Sequence, residues 1–141
     1  MSDAALPPRL QIEPVDCQPC ARAGEWQASW RIRNAADEAI NLLETWLPHG
    51  RFRWEPRKLE PPIQLGPGAE LVLDQPVRCQ EAAGTVVENT FLILKVTWRG
   101  RPWRVLARHR IEWNRAGPRP VCELITTQPV GFSASSSSDR A

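Results

Sequence analysis

Two cysteines separated by two residues, in the stretch "VDCQPC", are the first candidates for chemistry in this sequence. Cys17 and Cys20 have the spacing of a zinc knuckle, and a structural zinc site needs four ligands. Cys79 and Cys122 could supply the other two thiolates, and either of the two histidines could replace one of them. One hypothesis is therefore a structural zinc site built from the four cysteines.

The same cysteine pair has other interpretations. A redox-active pair begins a helix after a strand, where the helix dipole lowers the thiol pKa, but the residues that follow here, "ARAGEWQAS", open a strand. A β-turn suits Pro19 and thiols that pack as small apolar groups, and a disulfide is a further alternative. We favour the turn, with zinc as the alternative and no other cofactor expected.

The rest of the chain offers few catalytic groups. His109 alternates with apolar residues in "WRVLARHRIEW", which predicts a hydrogen-bonded core histidine. His49 lies in the loop "LPHGRF" with no serine or cysteine nucleophile arranged beside it, and no glycine-rich phosphate loop is present. The sequence predicts a protein that is not an enzyme and binds no small-molecule substrate.

Composition and charge limit the classes of partner. The 141 residues carry a formal net charge of only +2, so global charge does not favour nucleic acid as the partner. The first residues lack the pattern of a secretory signal, and no apolar run is long enough to span a bilayer. We therefore expect a cytoplasmic protein with reduced cysteines and no membrane partner.

Alternating segments must position these residues. In "WQASWRIRN" apolar and polar side chains alternate, as in a half-buried strand. "ENTFLILKVTW" and "RPWRVLARHRIEW" are joined by "RGR", where Gly100 permits a tight hairpin. Seven or eight short strands predict an antiparallel β-sandwich over residues 9–132. Residues 1–8 are expected to be a flexible arm, and the serine-rich residues 133–141 a disordered tail.

Two of these segments carry a family resemblance. "WRIRNAADEAI" followed by "LGPGAELVL" resembles bacterial immunoglobulin-like domains of the cell-adhesion-related and fibronectin type III kind. In those domains one strand ends in Asn and small residues, and a Pro-Gly turn introduces a later strand; Asn34 and residues 65–70 match this pattern. The resemblance covers residues 9 to about 115 and implies an immunoglobulin-like sandwich. It implies no activity.

The segment "TFLILKVTW" is apolar on both sides, unlike a strand with one face in water. In immunoglobulin-like sandwiches the third strand shares a sheet with the final hairpin. If Trp46 points inward, Leu43 and Leu47 point outward, and Glu44 faces inward unless a bulge intervenes. The outward apolar residues would then be Leu43, Leu47, Phe91, Ile93 and Leu106, with Arg104, Arg108 and Arg110 as a rim.

An apolar patch with an arginine rim is typical of protein interfaces. We therefore predict a binding or assembly module that acts through the outer face of the sheet carrying the final hairpin, with a protein partner or a second copy of the chain. The alternative is that residues 121–132 fold back and cover this patch themselves.

Arginine-rich segments suggest a further alternative. Trp54, with Arg51, Arg53 and Arg57 around it, is predicted to be exposed and able to stack on a base, a sugar or a partner side chain. Cation–π packing on a solvated edge is the simpler interpretation. Residues 99–115 hold six arginines and one glutamate, which could bind nucleic acid or another polyanion. Because the net charge is small, we favour a protein partner.

Overall fold

Eight antiparallel strands form from the alternating segments in the computed structural model, which describes residues 6–130. They are β1 (Leu10–Pro19), β2 (Glu25–Asn34), β3 (Ile40–His49), β4 (Phe52–Leu65), β5 (Glu70–Arg78), β6 (Val86–Trp98), β7 (Arg101–Asn114) and β8 (Gly117–Pro129). The predicted all-β class and antiparallel pairing are confirmed.

The strands form one sheet in the order β1-β2-β5-β4-β3-β6-β7-β8. Strands β5 and β4 pair through a single residue pair, Arg53 opposite Arg78. At the other side, β1 and β8 contact each other without a registered pair among residues 6–130. The sheet is therefore nearly closed and barrel-like, and its division into the two layers of a sandwich stays a prediction.

The apolar faces of the strands meet inside the curled sheet. The largest fully buried apolar side chains there are Trp30, Phe52, Ile32, Ile40, Leu42, Leu47, Leu92, Leu94, Ile111 and Val77. Removing apolar surface from water on this scale is the main favourable term in folding.

Trp30 and His109 form a buried polar contact across this core. The Trp30 Nε1 donates to His109 Nε2 at 3.0 Å, and His109 Nδ1 lies 2.9 Å from the carbonyl oxygen of Ala107. Because an indole can only donate, Nε2 must accept and Nδ1 must carry the proton. His109 is 1% exposed, which confirms the predicted core histidine and makes its neutral form the one that fits.

Asn34, the residue that carried the family resemblance, joins two turns. Its side chain is fully buried, and Nδ2 donates to the carbonyl oxygens of Glu38 and Leu65, each at 2.8 Å. The backbone amide of Gly68 donates to the Asn34 carbonyl oxygen at 2.8 Å. Asn34 thereby fixes the turn after β2 against the turn before β5.

The predicted hairpin between β6 and β7 is confirmed. Trp98 pairs with Arg101, and the two residues between them have positive φ angles of 53° at Arg99 and 72° at Gly100. Such angles suit a two-residue turn that matches strand twist. Arg99 is held in this unusual conformation by stacking 4.3 Å over the Trp98 ring and by an ion pair with Glu38 at 3.0 Å.

The predicted terminal segments lie largely beyond the described residues. Of the expected arm at residues 1–8, residues 1–5 lie outside them, while Leu6 is exposed and Pro8 is buried. The expected tail at residues 133–141 also lies outside them.

Candidate functional site

The bulges in β3 decide which side chains of that strand reach the outer surface. In the pairing with β6, Leu42 faces Val96 and Glu44 faces Lys95, so Leu43 is the extra residue of a β-bulge. After the bulge, Leu47 is 1% exposed and Trp46 is 38% exposed. The expected inward Trp46 and outward Leu47 are therefore wrong, because the bulge shifts the alternation by one residue. Leu43 is half-buried.

Trp46 begins a row of apolar side chains that crosses three strands. It stands opposite Ile93 of β6, which stands opposite Leu106 of β7. Cross-strand partners share one face of a sheet, so the three side chains lie together on the outer surface. A neighbouring row holds Phe91, Arg108 and Leu124. We define the outer patch as Trp46, Phe91, Ile93, Leu106 and Leu124.

Phe91, Ile93 and Leu106 are half-buried on this outer face, where the sequence placed them. Sequence reasoning missed Leu124, which is 48% exposed. The pairing of β7 with β8 shifts between Arg108 and His109, so Glu123 is an extra residue in β8. Cys122 faces the inward His109, so regular alternation from Cys122 would place Leu124 inward too. The bulge places Leu124 outward, and no pattern in the sequence marks that bulge.

The predicted arginine rim is partly neutralised by glutamates. Arg110 forms ion pairs with Glu112 and Glu123, both at 2.7 Å. The hydrogen bond to Glu112, followed by that to Glu123, raises the pKa of Arg110, and Arg110 in turn lowers the pKa of Glu112. Arg108 Nε lies 3.8 Å from Glu123. Arg104 has no ion pair among residues 6–130, so its guanidinium is the most available of the three.

The C-terminal strand extends the sheet, so residues 117–129 do not cover the outer patch. Residues 117–129 pair along β7 as its edge neighbour. The alternative in which residues 121–132 fold across the patch is therefore wrong for residues 121–130, since the Val130 amide donates to the Pro102 carbonyl oxygen of β7. Residues 131 and 132 lie outside the described part. Leu124 instead enlarges the patch.

Trp54 does not provide the exposed stacking surface that the sequence predicted. Its side chain is half-buried against the core, and the Arg78 guanidinium lies 4.2 Å from its ring centroid. The cation–π interpretation holds, although with an arginine from β5. Of the flanking arginines, Arg51 is held by Glu81 at 2.6 Å.

Cys17 and Cys20 lie at the end of β1, and only Cys20 belongs to the turn that follows. Cys17 belongs to β1 and stands opposite Ala28, so the favoured turn begins only at Cys20, whose amide donates to the Glu25 carbonyl oxygen at 2.9 Å. The turn interpretation is thus wrong for Cys17 and holds for Cys20. All four cysteines are free thiols.

Three of the four thiols lie near one another. Burial, then the neighbouring Cys79, Asp16 and Cys20, raises the pKa of Cys17 to about 12. Burial also raises the pKa of Cys79 to about 11. The Trp113 indole donates a hydrogen bond to the Cys79 Sγ at 3.2 Å, which lowers this pKa by a smaller amount.

Cys122 stands opposite His109 in another part of the sheet, and burial raises its pKa too. Within residues 6–130, no three His, Cys, Asp or Glu side chains are arranged to hold a metal ion. The four-cysteine zinc site stays a prediction that this arrangement does not support.

No protein-family model matches the sequence, and no curated protein sequence matches it. Among residues 6–130, no helix has the length and apolar character needed to cross a membrane. The function therefore has to be inferred from the outer patch itself.

Proposed function

We propose that the chain is a non-catalytic protein-binding module whose partner docks on the outer patch. The observation that carries this proposal is the apolar row of Trp46, Ile93 and Leu106, which crosses three strands without interruption. Contiguous apolar surface on the outside of a soluble domain commonly marks an interaction site. Tryptophan and arginine, both present here, dominate the energetics of protein interfaces.

The same proposal includes an immunoglobulin-like sandwich of the fibronectin type III kind. In such sandwiches the first, second and a later strand form one sheet, and the third strand pairs with the final hairpin in the other. The orders β1-β2-β5 and β4-β3-β6-β7, with a single residue pair joining β5 to β4, support this division. An NMR structure with β4 and β5 hydrogen-bonded along their length would contradict it.

A photo-crosslinking experiment tests the binding proposal. Benzoylphenylalanine is placed at position 46, and at position 72 of β5 as the matched control, because Val72 is also exposed (55%) but lies on the opposite outer face. In cells that express the protein naturally, we expect protein adducts from position 46 and far fewer from position 72. Equal yields at the two positions, or none at either, would contradict the proposal.

The alternatives have weaker support. The hairpin arginines offer less free charge to a polyanion, because Arg99 and Arg110 are paired with carboxylates. For zinc, native mass spectrometry before and after chelation is the direct measurement. We expect the same mass in both, because no three His, Cys, Asp or Glu side chains within residues 6–130 are arranged to hold a metal ion. A cytoplasmic setting, in which the cysteines stay reduced, is part of the proposal.

A further inference from the structure

We propose that the outer patch recognises a protein segment in which apolar side chains are flanked by carboxylates. This inference rests on the proposed binding function and specifies the chemistry of the partner. It comes from the cations on either side of the apolar row formed by Trp46, Ile93 and Leu106.

Three cations flank the row. Lys95 and Arg104 stand opposite each other on one side of it, and Arg108 stands opposite Phe91 on the other side. Successive outward residues of a strand are about 7 Å apart. Positive charge therefore lies on both flanks of the row, at about that distance from its centre.

Among residues 6–130, these three cations have donors that no carboxylate approaches within hydrogen-bond distance. In the described part of the chain, Lys95 is paired with Glu44 at 3.8 Å and Arg108 with Glu123, also at 3.8 Å. Both separations exceed hydrogen-bond length. The Arg108 side chain is 39% exposed, so its guanidinium can be reached from outside although its Nε is buried. Arg104 has no ion pair within the described residues. A carboxylate from a partner would satisfy these donors with charge-assisted hydrogen bonds.

The charge of the surrounding strands favours an acidic partner over a second copy of the chain. Strands β3, β6, β7 and β8 together carry six lysines and arginines against four glutamates, an excess of two positive charges. Two copies placed face to face would bring like charges together, which weakens association. An acidic segment is complementary to the same surface.

The apolar row excludes a simple polyanion as the best ligand. Phosphates could pair with the three cations, but they would leave Trp46, Ile93 and Leu106 without apolar contacts. An extended peptide that runs along β6 meets both needs when an apolar residue sits between carboxylates two positions before and two positions after it, because this spacing matches that of the rows.

A selection from random linear peptides displayed on phage tests this inference. Peptides are selected on the intact protein and depleted on the Ile93→Asp variant, which disrupts the row. We expect the retained peptides to be enriched in Asp or Glu two residues from Leu, Ile, Phe or Trp. Arg104→Glu should lower the affinity for the best synthetic peptide by about tenfold. Arg33→Glu, on the opposite outer face, should leave that affinity unchanged.

The outcomes separate this inference from the proposed function. Patch-dependent peptides without acidic enrichment would overturn the inference and keep the binding proposal. Failure to retain any patch-dependent peptide would count against both, and photo-crosslinking at position 46 then decides the binding proposal separately. A dimer in sedimentation equilibrium that Trp46→Ser converts to a monomer would identify a second copy as the occupant and overturn the acidic segment. Ile93→Asp must retain the wild-type circular dichroism spectrum; otherwise Trp46→Ser replaces it.

Discussion

The outer face of β1, β2 and β5 and the outer face of β3, β6, β7 and β8 differ in character. On the first face, Arg31 pairs with Glu13 at 3.2 Å and with Glu70 at 3.7 Å, each from a neighbouring strand. Ser29 Oγ donates to Asp74 at 2.6 Å in the next row. Opposite charges from β1, β2 and β5 thus pair on this face, although the residue directly opposite Arg31 on β5 is the exposed Val72.

The second face carries its apolar side chains outward. Trp46, Ile93 and Leu106 form a cross-strand row of three apolar side chains, whereas the corresponding row of the first face consists of Glu13, Arg31 and Val72. Both faces lie on the outside of one curled sheet around one core, so folding alone does not require apolar residues there. The difference is the one we expect if a partner docks on the second face, as proposed.

The bulge in β3 creates this difference, and a matched pair of substitutions tests it. Leu47→Ala should lower the free energy of unfolding by about 3 kcal/mol, because a buried leucine is lost and a cavity remains. Its neighbour Trp46, which is 38% exposed, should lose less than about 1 kcal/mol on substitution by alanine. Urea unfolding measures both. Equal losses would mean that the alternation continues unshifted and that the outer patch is wrongly assigned.

The same bulges mark the limit of what the sequence could predict. The strand class, the β6–β7 hairpin and the inward His109 follow from alternation and turn residues, which are local signals. Phe91, Ile93 and Leu106 were predictable because β6 and β7 pair regularly across them. A bulge instead depends on both paired strands, so a single segment does not show it.

Long-range contacts account for the other errors. Trp54 receives Arg78 from a strand distant in sequence, and the three neighbouring thiols are brought together by the ends of β1 and β5. Glu123 neutralises Arg110 from the adjacent strand. Charge counted along the chain therefore overstated the free charge of the final hairpin.

The Trp30–His109 hydrogen bond connects β2, beneath the polar face, to β7, beneath the outer patch. Trp30→Phe removes the donor and leaves His109 Nε2 buried without a partner, so we expect a loss of about 1–3 kcal/mol of unfolding free energy. Trp113→Phe is the control, because the half-buried Trp113 indole donates only to the Cys79 sulfur, a weak acceptor. A loss no larger than that of the control would mean that this contact does not stabilise the two halves against each other.

Acid should weaken the same connection. Burial lowers the pKa of His109 below its ordinary 6.5, against smaller opposing effects of the Ala107 and Thr90 hydrogen bonds and the charge of Glu123. The contribution to stability is therefore complete above pH 6.5 and is lost as the pH falls toward the folded-state pKa. As the pH is lowered from 7, the urea concentration at the unfolding midpoint should fall in the wild type and fall less in His109→Gln. Parallel curves would contradict this assignment.

The smallest effect separates the two faces most directly. Arg31→Gln on the polar face removes two exposed ion pairs, so we expect about 0.5 kcal/mol of lost stability, and less at high salt. Arg104→Gln removes no ion pair within the described residues and should leave stability unchanged, yet it should weaken binding to the outer patch. Urea unfolding at low and high salt gives the first comparison, and titration with a patch-selected peptide gives the second. If Arg104→Gln instead destabilised the fold without changing binding, Arg104 would be a structural residue like Arg31. A cation whose role is to bind a partner should affect affinity and not folding stability. With the opposite result, the two faces would differ in composition but not in function.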